Sequence, residues 1–188
     1  MQYVDILFFY AFSCSVLWAY GIGLEKTFFD SRNGSRFMVR MPILFAQTLI
    51  AGFAIFELNS RVLLPHGLFV LIPMATILVC SLVRMVISLA LPPTAQDFST
   101  GERVFFFGTV FLATSEGASL GNSLAIALAS VLAFAFSTVL LFSVRERIAT
   151  ADVRADWKGA PLILVSMGLL AIGMHSADVS WWIQEAFR

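Results

Sequence analysis

Long apolar runs without charge constrain this sequence more than any other feature. The run Leu124–Val144 contains 21 residues and no charged side chain. A helix needs about 20 apolar residues to cross the hydrocarbon core of a bilayer. The sequence therefore predicts an all-α integral membrane protein with six transmembrane helices. The candidate spans are roughly Tyr3–Leu24, Met41–Phe56, Val62–Val83, Val104–Ser115, Leu124–Val144 and Pro161–Ile183.

The low charge content excludes a soluble fold. Of the 188 residues, 59% are apolar and 13% are charged, whereas a soluble domain carries roughly 25% charge. The formal net charge is zero, so nucleic acid is not an expected partner. Phosphate-binding glycine loops, nucleophile elbows and HExxH motifs are absent from the sequence. Any enzymatic label would therefore belong to a complex in which this chain is at most a non-catalytic subunit.

Positive charge predicts the orientation, because Lys and Arg favour the cytoplasmic ends of spans. Ten of the twelve Lys and Arg residues fall in the first, third and fifth connections: Lys26, Arg32, Arg36, Arg40, Arg84, Arg103, Arg145, Arg147, Arg154 and Lys158. With six spans these connections share one side. For a prokaryotic source we expect a multi-pass protein of the cell inner (cytoplasmic) membrane, with both termini on the non-cytoplasmic side.

The polar connections complete this outline. ELNSR is predicted to separate the second and third spans, and PPTAQDFSTGER to separate the third and fourth. The last polar stretch, RERIATADVRADWKGAP, is predicted to form an interfacial amphipathic helix.

Two glutamates suggest internal symmetry. Glu25 and Glu116 each end the first apolar run of a three-span half, and they lie 91 residues apart. Halves with an odd number of spans are inverted relative to each other, which predicts a 3+3 inverted repeat with halves of about 1–91 and 92–188 in a single membrane domain. The alternative is that both glutamates simply lie at ordinary helix ends.

Glu116 is hard to explain as an ordinary helix end. It follows about 12 apolar residues, or about 18 Å of helix, which is short of the roughly 30 Å hydrocarbon core. The GASLGNS segment that follows supplies residues able to satisfy a broken backbone. We therefore expect broken helices near Glu116 and, by analogy, near Glu25.

The C-terminal part carries a family resemblance. FSVRERIATADVRADWKGAPLILVSMGLLAIGM resembles the corresponding stretch of the small six-span membrane subunits of the Rnf and Na⁺-translocating NADH:quinone oxidoreductase (Nqr) complexes, RnfA/RnfE and NqrD/NqrE. The matching residues are Arg145-Glu146-Arg147-Ile148, Asp152-Val153, Lys158-Gly159 and Pro161. The resemblance implies pairing with a homologous six-helix subunit, in a hetero- or homodimer, within a larger redox complex.

The resemblance also implies a cofactor whose ligands this chain lacks. In the family, two cysteines from each subunit of the pair together hold a 2Fe–2S cluster near the membrane midplane. The two cysteine positions fall here on Glu25 and Glu116. Iron–sulfur clusters require thiolates, so we expect no cofactor in this chain. Carboxylates suit hard ions such as Mg²⁺, Ca²⁺ or Mn²⁺, or no metal at all.

Besides the two glutamates at cysteine positions, a third difference from the family pattern concerns Arg84. The family tends to carry an acid at this position of the third span, and this chain reads Arg84-Met85-Val86. Arg84 either pairs with Glu25 or Glu116 in a buried pair or ion path, or extends its charge to the cytoplasmic interface.

These observations support three hypotheses. The first is a membrane subunit of an Rnf/Nqr-like ion-translocating electron-transfer complex, acting as scaffold or ion path without its own iron–sulfur cluster. The second is a non-redox cation or proton transporter on the same fold. The third is a purely structural assembly subunit.

Overall fold

The computed structural model describes residues 2–12, 21, 34–90, 100–150, 152, 157 and 160–176. Every regular element among these residues is helical, which confirms the all-α prediction. The α-helices within the described residues are α1 (Gln2–Phe12), α2 (Gly34–Leu58), α3 (Ile72–Ala90), α4 (Thr100–Glu116), α5 (Leu120–Thr150) and α6 (Ala160–Ser176). A π-helical turn, Asn59–Leu63, extends α2, and a 3₁₀ turn, Phe69–Leu71, precedes α3.

Three of the described helical segments are long and apolar enough to cross a membrane. They are Arg40–Leu63, Phe69–Ala90 and Leu120–Ile148, and a shorter apolar helix covers Pro161–Met174. They confirm a membrane-embedded chain. The six-span count and the halves at 1–91 and 92–188 stay predictions.

Helix ends differ from the predicted spans at several charged residues that the prediction assigns to connections. ELNSR does not separate two helices, because α2 continues through it as the π-helical turn and the chain reverses at Leu64–Leu68. Gly67 adopts a positive φ of 67° there, a conformation that glycine accepts at no steric cost. The tetrapeptide Thr100–Arg103 likewise belongs to α4 and not to a loop.

The fifth span is also longer than predicted. RERIAT, the start of the stretch predicted as a separate interfacial helix, continues α5 to Thr150 without a break. At 1.5 Å per residue the 31 residues of α5 measure about 46 Å, so this helix extends well beyond a hydrocarbon core of about 30 Å.

Helix α5 is the centre of the bundle. It packs against α1, α2 and α4 through one core cluster that includes Ile55, Phe105, Val110 and Phe134. Near its far end a smaller cluster, with Leu141 and Met167, holds α6. Helix α3 lies at the periphery, since 11% of its spanning segment is buried against 50% for α5.

Candidate functional site

The predicted break at Glu116 is a tight turn between two helices. Helix α4 ends at Glu116 and α5 begins at Leu120. The Gly117 N–H donates to the Ala113 carbonyl at 3.1 Å. The Ser119 hydroxyl accepts a hydrogen bond from the Asn122 N–H at 3.2 Å, which satisfies one of the free donors at the start of α5. The polar residues after Glu116 thus supply the partners that a broken backbone needs.

The two helices on either side of this turn run antiparallel. The rings of Phe105 and Phe134 stack with centroids 4.0 Å apart. Gly117 lies so close to α5 that a Cβ at this position would be 2.7 Å from the Cβ of Ser123. Helices α4 and α5 therefore form a closed hairpin, and Glu116 lies at its tip.

Glu116 is held at the tip by the N-terminal helix. The Tyr10 hydroxyl donates a hydrogen bond to the Glu116 carboxylate. Tyr10 lies in the last turn of α1 before Phe12, so Glu116 lies beside that end of the helix. Neighbouring side chains of α1 are apolar and exposed, including Phe8 and Phe9. Glu116 is itself exposed, as are Ser115 and Ser119 beside it.

The other two predicted site residues are not brought to Glu116. Glu25 lies outside the described residues. Arg84, in α3, lies in the electrostatic field of Glu102 and Arg103. These belong to the first turn of α4, and Glu102 is about 21 Å along the helix from Glu116. The structure therefore places Arg84 at the opposite end of α4, and its pairing with Glu25 stays a prediction.

A buried ion pair lies at that opposite end, and the sequence patterns do not predict it. An Arg40 guanidinium nitrogen lies 3.9 Å from a Glu102 carboxylate oxygen, and the two side chains are 11% and 2% exposed. The predicted spans leave both residues in connections, because charge is typical of loops. The signal is present for Arg40, which interrupts the apolar sequence FMVRMPILF on both sides.

The sequence patterns also do not predict a group of buried hydroxyl side chains in the hairpin. Within the described part of the chain, the hydroxyl oxygens of Thr109, Ser123 and Ser130 are buried and have no hydrogen-bond partner. By contrast, Thr48, Thr76 and Thr114 donate to backbone carbonyls of their own helices. A buried polar group without a partner costs about 1–3 kcal/mol, so three such groups in one hairpin require an explanation. The two serines are seven residues apart in the sequence, which is the only local pattern that relates them.

The donor set at Glu116 does not fit an iron–sulfur cluster, which is held by thiolates. Glu116 offers carboxylate oxygens. The described residues contain no group of three or more His, Cys, Asp or Glu side chains placed to bind a metal. Cys80 is buried in α3, one helical turn from Arg84, and so lies toward the other end of the hairpin.

Comparison with known proteins identifies relatives in one kind of membrane complex. No protein-family profile matches the chain. The RnfA proteins of Yersinia pseudotuberculosis and Yersinia enterocolitica, named as subunits of the ion-translocating oxidoreductase complex, are 26% identical over 132 residues, which cover 65% of this chain and 68% of theirs. The protein of the same name from Edwardsiella ictaluri matches to the same extent. Together with the apolar helices, these relatives support the resemblance of the chain to the Rnf membrane subunits.

Proposed function

We propose that this chain is a membrane subunit of an Rnf/Nqr-like ion-translocating electron-transfer complex, serving as scaffold or ion path. It would form six spans in a 3+3 inverted repeat, in the inner membrane, with both termini on the non-cytoplasmic side. Support comes from the names of the relatives, which describe subunits of ion-translocating oxidoreductase complexes, and from the all-helical, apolar architecture.

The exposed Glu116 carries this proposal. A carboxylate within a bilayer costs about 2.5–3.5 kcal/mol on insertion scales. Tyr10 provides one hydrogen bond, and the exposed carboxylate retains further acceptor capacity. A second protein packed over the hairpin tip and α1 would remove this carboxylate from lipid. The proposed occupant is the homologous six-helix subunit that the family resemblance implies.

The proposed subunit holds no iron–sulfur cluster of its own. The reason is chemical: the family's cysteine positions fall on Glu25 and Glu116, and carboxylates are poor substitutes for thiolates in cluster binding. The scaffold would then persist while electrons pass through other subunits.

The first test is purification of the complex from native membranes, with iron, acid-labile sulfide and EPR measured on the fraction that contains this chain. The proposal expects a six-helix membrane partner to co-purify with this chain. It also expects the iron–sulfur content of the complex to stay the same when this chain is removed. A cluster bridging this chain and its partner would contradict the cofactor part. Isolation of the chain without any redox subunit would contradict the complex itself.

A substitution test addresses the two glutamate positions directly. In the double variant Glu25→Cys/Glu116→Cys, co-expressed with the partner, we expect iron and sulfide to rise above the wild-type level, because thiolates would return to the family's ligand positions. Ser60→Cys/Ser143→Cys, which adds two exposed thiols away from the hairpin tip, is the matched control. Equal iron in both variants would show that Glu25 and Glu116 do not occupy the cluster positions.

A non-redox proton or cation transporter is the second candidate. The buried, unpartnered hydroxyls of the hairpin favour it, because broken-helix transporters place their ion sites in the membrane interior. Transport by the isolated chain would support the transporter. Loss of transport when the chain is separated from redox subunits would favour the electron-transfer complex subunit.

A further inference from the structure

Arginines from three different helices surround one carboxylate at the end of the hairpin opposite Glu116. An Arg40 guanidinium nitrogen lies 3.9 Å from a Glu102 carboxylate oxygen. Arg84 of α3 is close enough to Glu102 and Arg103 to interact electrostatically with both, and Arg103 follows Glu102 in the first turn of α4. We call these four residues the arginine cluster. With three arginines and one glutamate, its formal charge is +2.

Arg84 joins the cluster from the side of α3 that packs against the bundle. Thr76 and Cys80 precede it at intervals of four residues, and both are buried. Residues four apart lie on the same face of a helix. Cys80 belongs to the same core cluster as Phe105 of α4. Arg84 is itself partly exposed, so its charge lies at the edge of the contact between α3 and α4.

The arginine cluster lies at a depth where α3 is surrounded by lipid. Helix α3 continues for about 9 Å beyond Arg84 and ends at Ala90. Met85, Val86 and Leu89 in this stretch are 62%, 64% and 80% exposed. An apolar, outward-facing helix end therefore lies beyond the arginine, and the positive charge needs an anion at this depth.

The short helix α4 brings lipid headgroups toward the cluster. Its 17 residues measure about 25 Å, which is less than the roughly 30 Å of a hydrocarbon core. A bilayer thins beside a span that is too short for it. The headgroups of the adjacent leaflet then approach the first turn of α4, where the Arg103 side chain is exposed.

An aromatic surface continues from Arg103 along α4 toward the hairpin tip. Phe107 and Phe111 follow Arg103 at intervals of four residues and thus share its face of the helix. Their rings stack with centroids 6.1 Å apart, and both side chains are partly exposed. The exposed charge and the aromatic surface beside it match the two parts of a phospholipid, an anionic headgroup and an acyl chain.

We propose that the arginine cluster binds the phosphate of an anionic phospholipid in the predicted cytoplasmic leaflet, with an acyl chain along Phe107 and Phe111. Guanidinium groups bind phosphate oxygens through paired N–H donors. Arg40 offsets the charge of Glu102, and Arg84 and Arg103 supply the positive charge that attracts the phosphate.

A lipid fits this site better than a free phosphate ion does. Both would contact the arginines, but only a lipid would also cover the aromatic surface. Basic sites between spans on the cytoplasmic side recognise anionic headgroups, and ten of the twelve Lys and Arg residues are predicted on that side. The proposal requires the proposed membrane topology and does not depend on the redox partners.

Lipid retention in native mass spectrometry tests the site. The full-length chain, in its complex if subunits co-purify, is incubated in detergent with equal amounts of phosphatidylglycerol and phosphatidylcholine that carry the same acyl chains. We expect the wild type to retain phosphatidylglycerol about tenfold more strongly. Arg84→Gln and Arg103→Gln should each weaken this retention about tenfold, because a charged hydrogen bond contributes on that order.

Arg147→Gln is the matched control for general attraction by positive charge. Arg147 is exposed in the last turn of α5 and lies on the same predicted side of the membrane. We expect this variant to retain phosphatidylglycerol like the wild type. Equal losses for Arg147→Gln and Arg103→Gln, or equal retention of the two lipids by the wild type, would overturn the proposal.

A thermal measurement keeps the proposal testable if Arg84→Gln fails to fold. Phosphatidylglycerol is expected to raise the unfolding midpoint of the wild type above its value in phosphatidylcholine, since a ligand that binds the folded state stabilises it. Arg103→Gln, at an exposed position, should abolish this increase. Inorganic phosphate at matched ionic strength is expected to leave the midpoint unchanged. An increase equal to that from phosphatidylglycerol would assign the site to free phosphate and overturn the lipid.

Asp97 provides the last test, because it is the acid nearest to α4 in the preceding connection of the sequence. Asp97→Asn is expected to retain phosphatidylglycerol at least as strongly as the wild type. Retention by Asp97→Asn alone, and not by the wild type, would show that the chain balances its own arginines and would overturn the proposal. Co-purification with redox subunits is independent of lipid retention, so failure of the lipid site and failure of the proposed function are distinguishable.

Discussion

Glu102 and Glu116 are chemically identical side chains on one helix in opposite surroundings. Glu102 is 2% exposed and lies 3.9 Å from the Arg40 guanidinium. Glu116 is exposed at the hairpin tip and accepts a hydrogen bond from Tyr10. In a bilayer a carboxylate must be paired, hydrogen-bonded or covered. Glu102 meets this requirement through Arg40, whereas Glu116 remains exposed on the surface of the chain.

Gly117 fixes the turn next to Glu116. A Cβ there would lie 2.5 Å from the Ala113 carbonyl oxygen and 2.8 Å from the Ser123 Cα, and backbone atoms cannot move aside cheaply. We predict that Gly117→Ala destabilises the protein by about 1–3 kcal/mol, as overpacking does. The measurement is the thermal unfolding midpoint of the purified protein in detergent.

Gly168→Ala is the matched control for this prediction. Gly168 lies in α6 with no atom within 4 Å of its Cβ position, and alanine is the better helix former by about 1 kcal/mol. We expect the control to be neutral or stabilising. Equal unfolding midpoints for the two variants would contradict the close approach at Gly117.

At the scale of elements, charge is a poor guide to where helices end. The sequence pattern predicts Arg40, Glu102 and Arg103 in connections, yet each lies within a helix. Apolar length sets where a helix meets lipid, but it does not set where the helix ends. A neighbouring helix that supplies an opposite charge allows the helix to continue through the charged residue, and that neighbour is known only from the tertiary structure.

The Arg40–Glu102 pair should behave as a buried pair. We predict that Arg40→Leu destabilises the protein by about 3–5 kcal/mol, because it removes one partner of a buried ion pair and takes the guanidinium away from the desolvated Glu102 carboxylate. Arg40→Leu/Glu102→Leu should recover much of this loss, since neither charge then remains. A denaturation series on the two single variants and the double variant gives the coupling energy.

The Glu57–Arg61 pair provides the comparison. Its charged atoms are 2.6 Å apart, but the Arg61 side chain is 78% exposed, so its removal by Arg61→Leu should cost about 0–1 kcal/mol. Similar costs for Arg40→Leu and Arg61→Leu would show that the Arg40–Glu102 pair is solvated.

At the scale of the whole molecule, the described helices leave much apolar surface uncovered. Helix α3 presents Met74, Leu78 and Leu89 to the outside, with exposures of 63%, 62% and 80%. In a bilayer such surface faces lipid or other proteins, and its burial within the chain is not needed for stability. Many buried positions are instead taken by small and hydroxyl-bearing residues, including Ala51, Ala127 and Ser130, which allow close helix packing in lipid.

The predicted orientation is tested with single cysteines. In the Cys14→Ala/Cys80→Ala background, Ser60→Cys should react with an impermeant thiol reagent added outside intact cells. Asp152→Cys should react only after the membrane is permeabilised. Both positions are exposed, and the positive charge of the odd-numbered connections sets the expected sides. The reverse pattern would place both termini in the cytoplasm.

The sequence by itself determined the membrane class and the break at Glu116. Both follow from local quantities, namely the length of apolar runs against bilayer thickness and the polar residues that follow Glu116. The family resemblance, carried by short motifs near Lys158, agrees with the relatives found.

Only the tertiary structure decided which polar groups meet. Arg40 and Glu102 are 62 residues apart in the sequence, and no local pattern relates them. Side chains on different helices are brought together by the register of packing, which the Phe105–Phe134 stack and the tight turn at Gly117 fix. Apolar runs set where helices cross the membrane, whereas contacts between helices set which of their polar residues share a site.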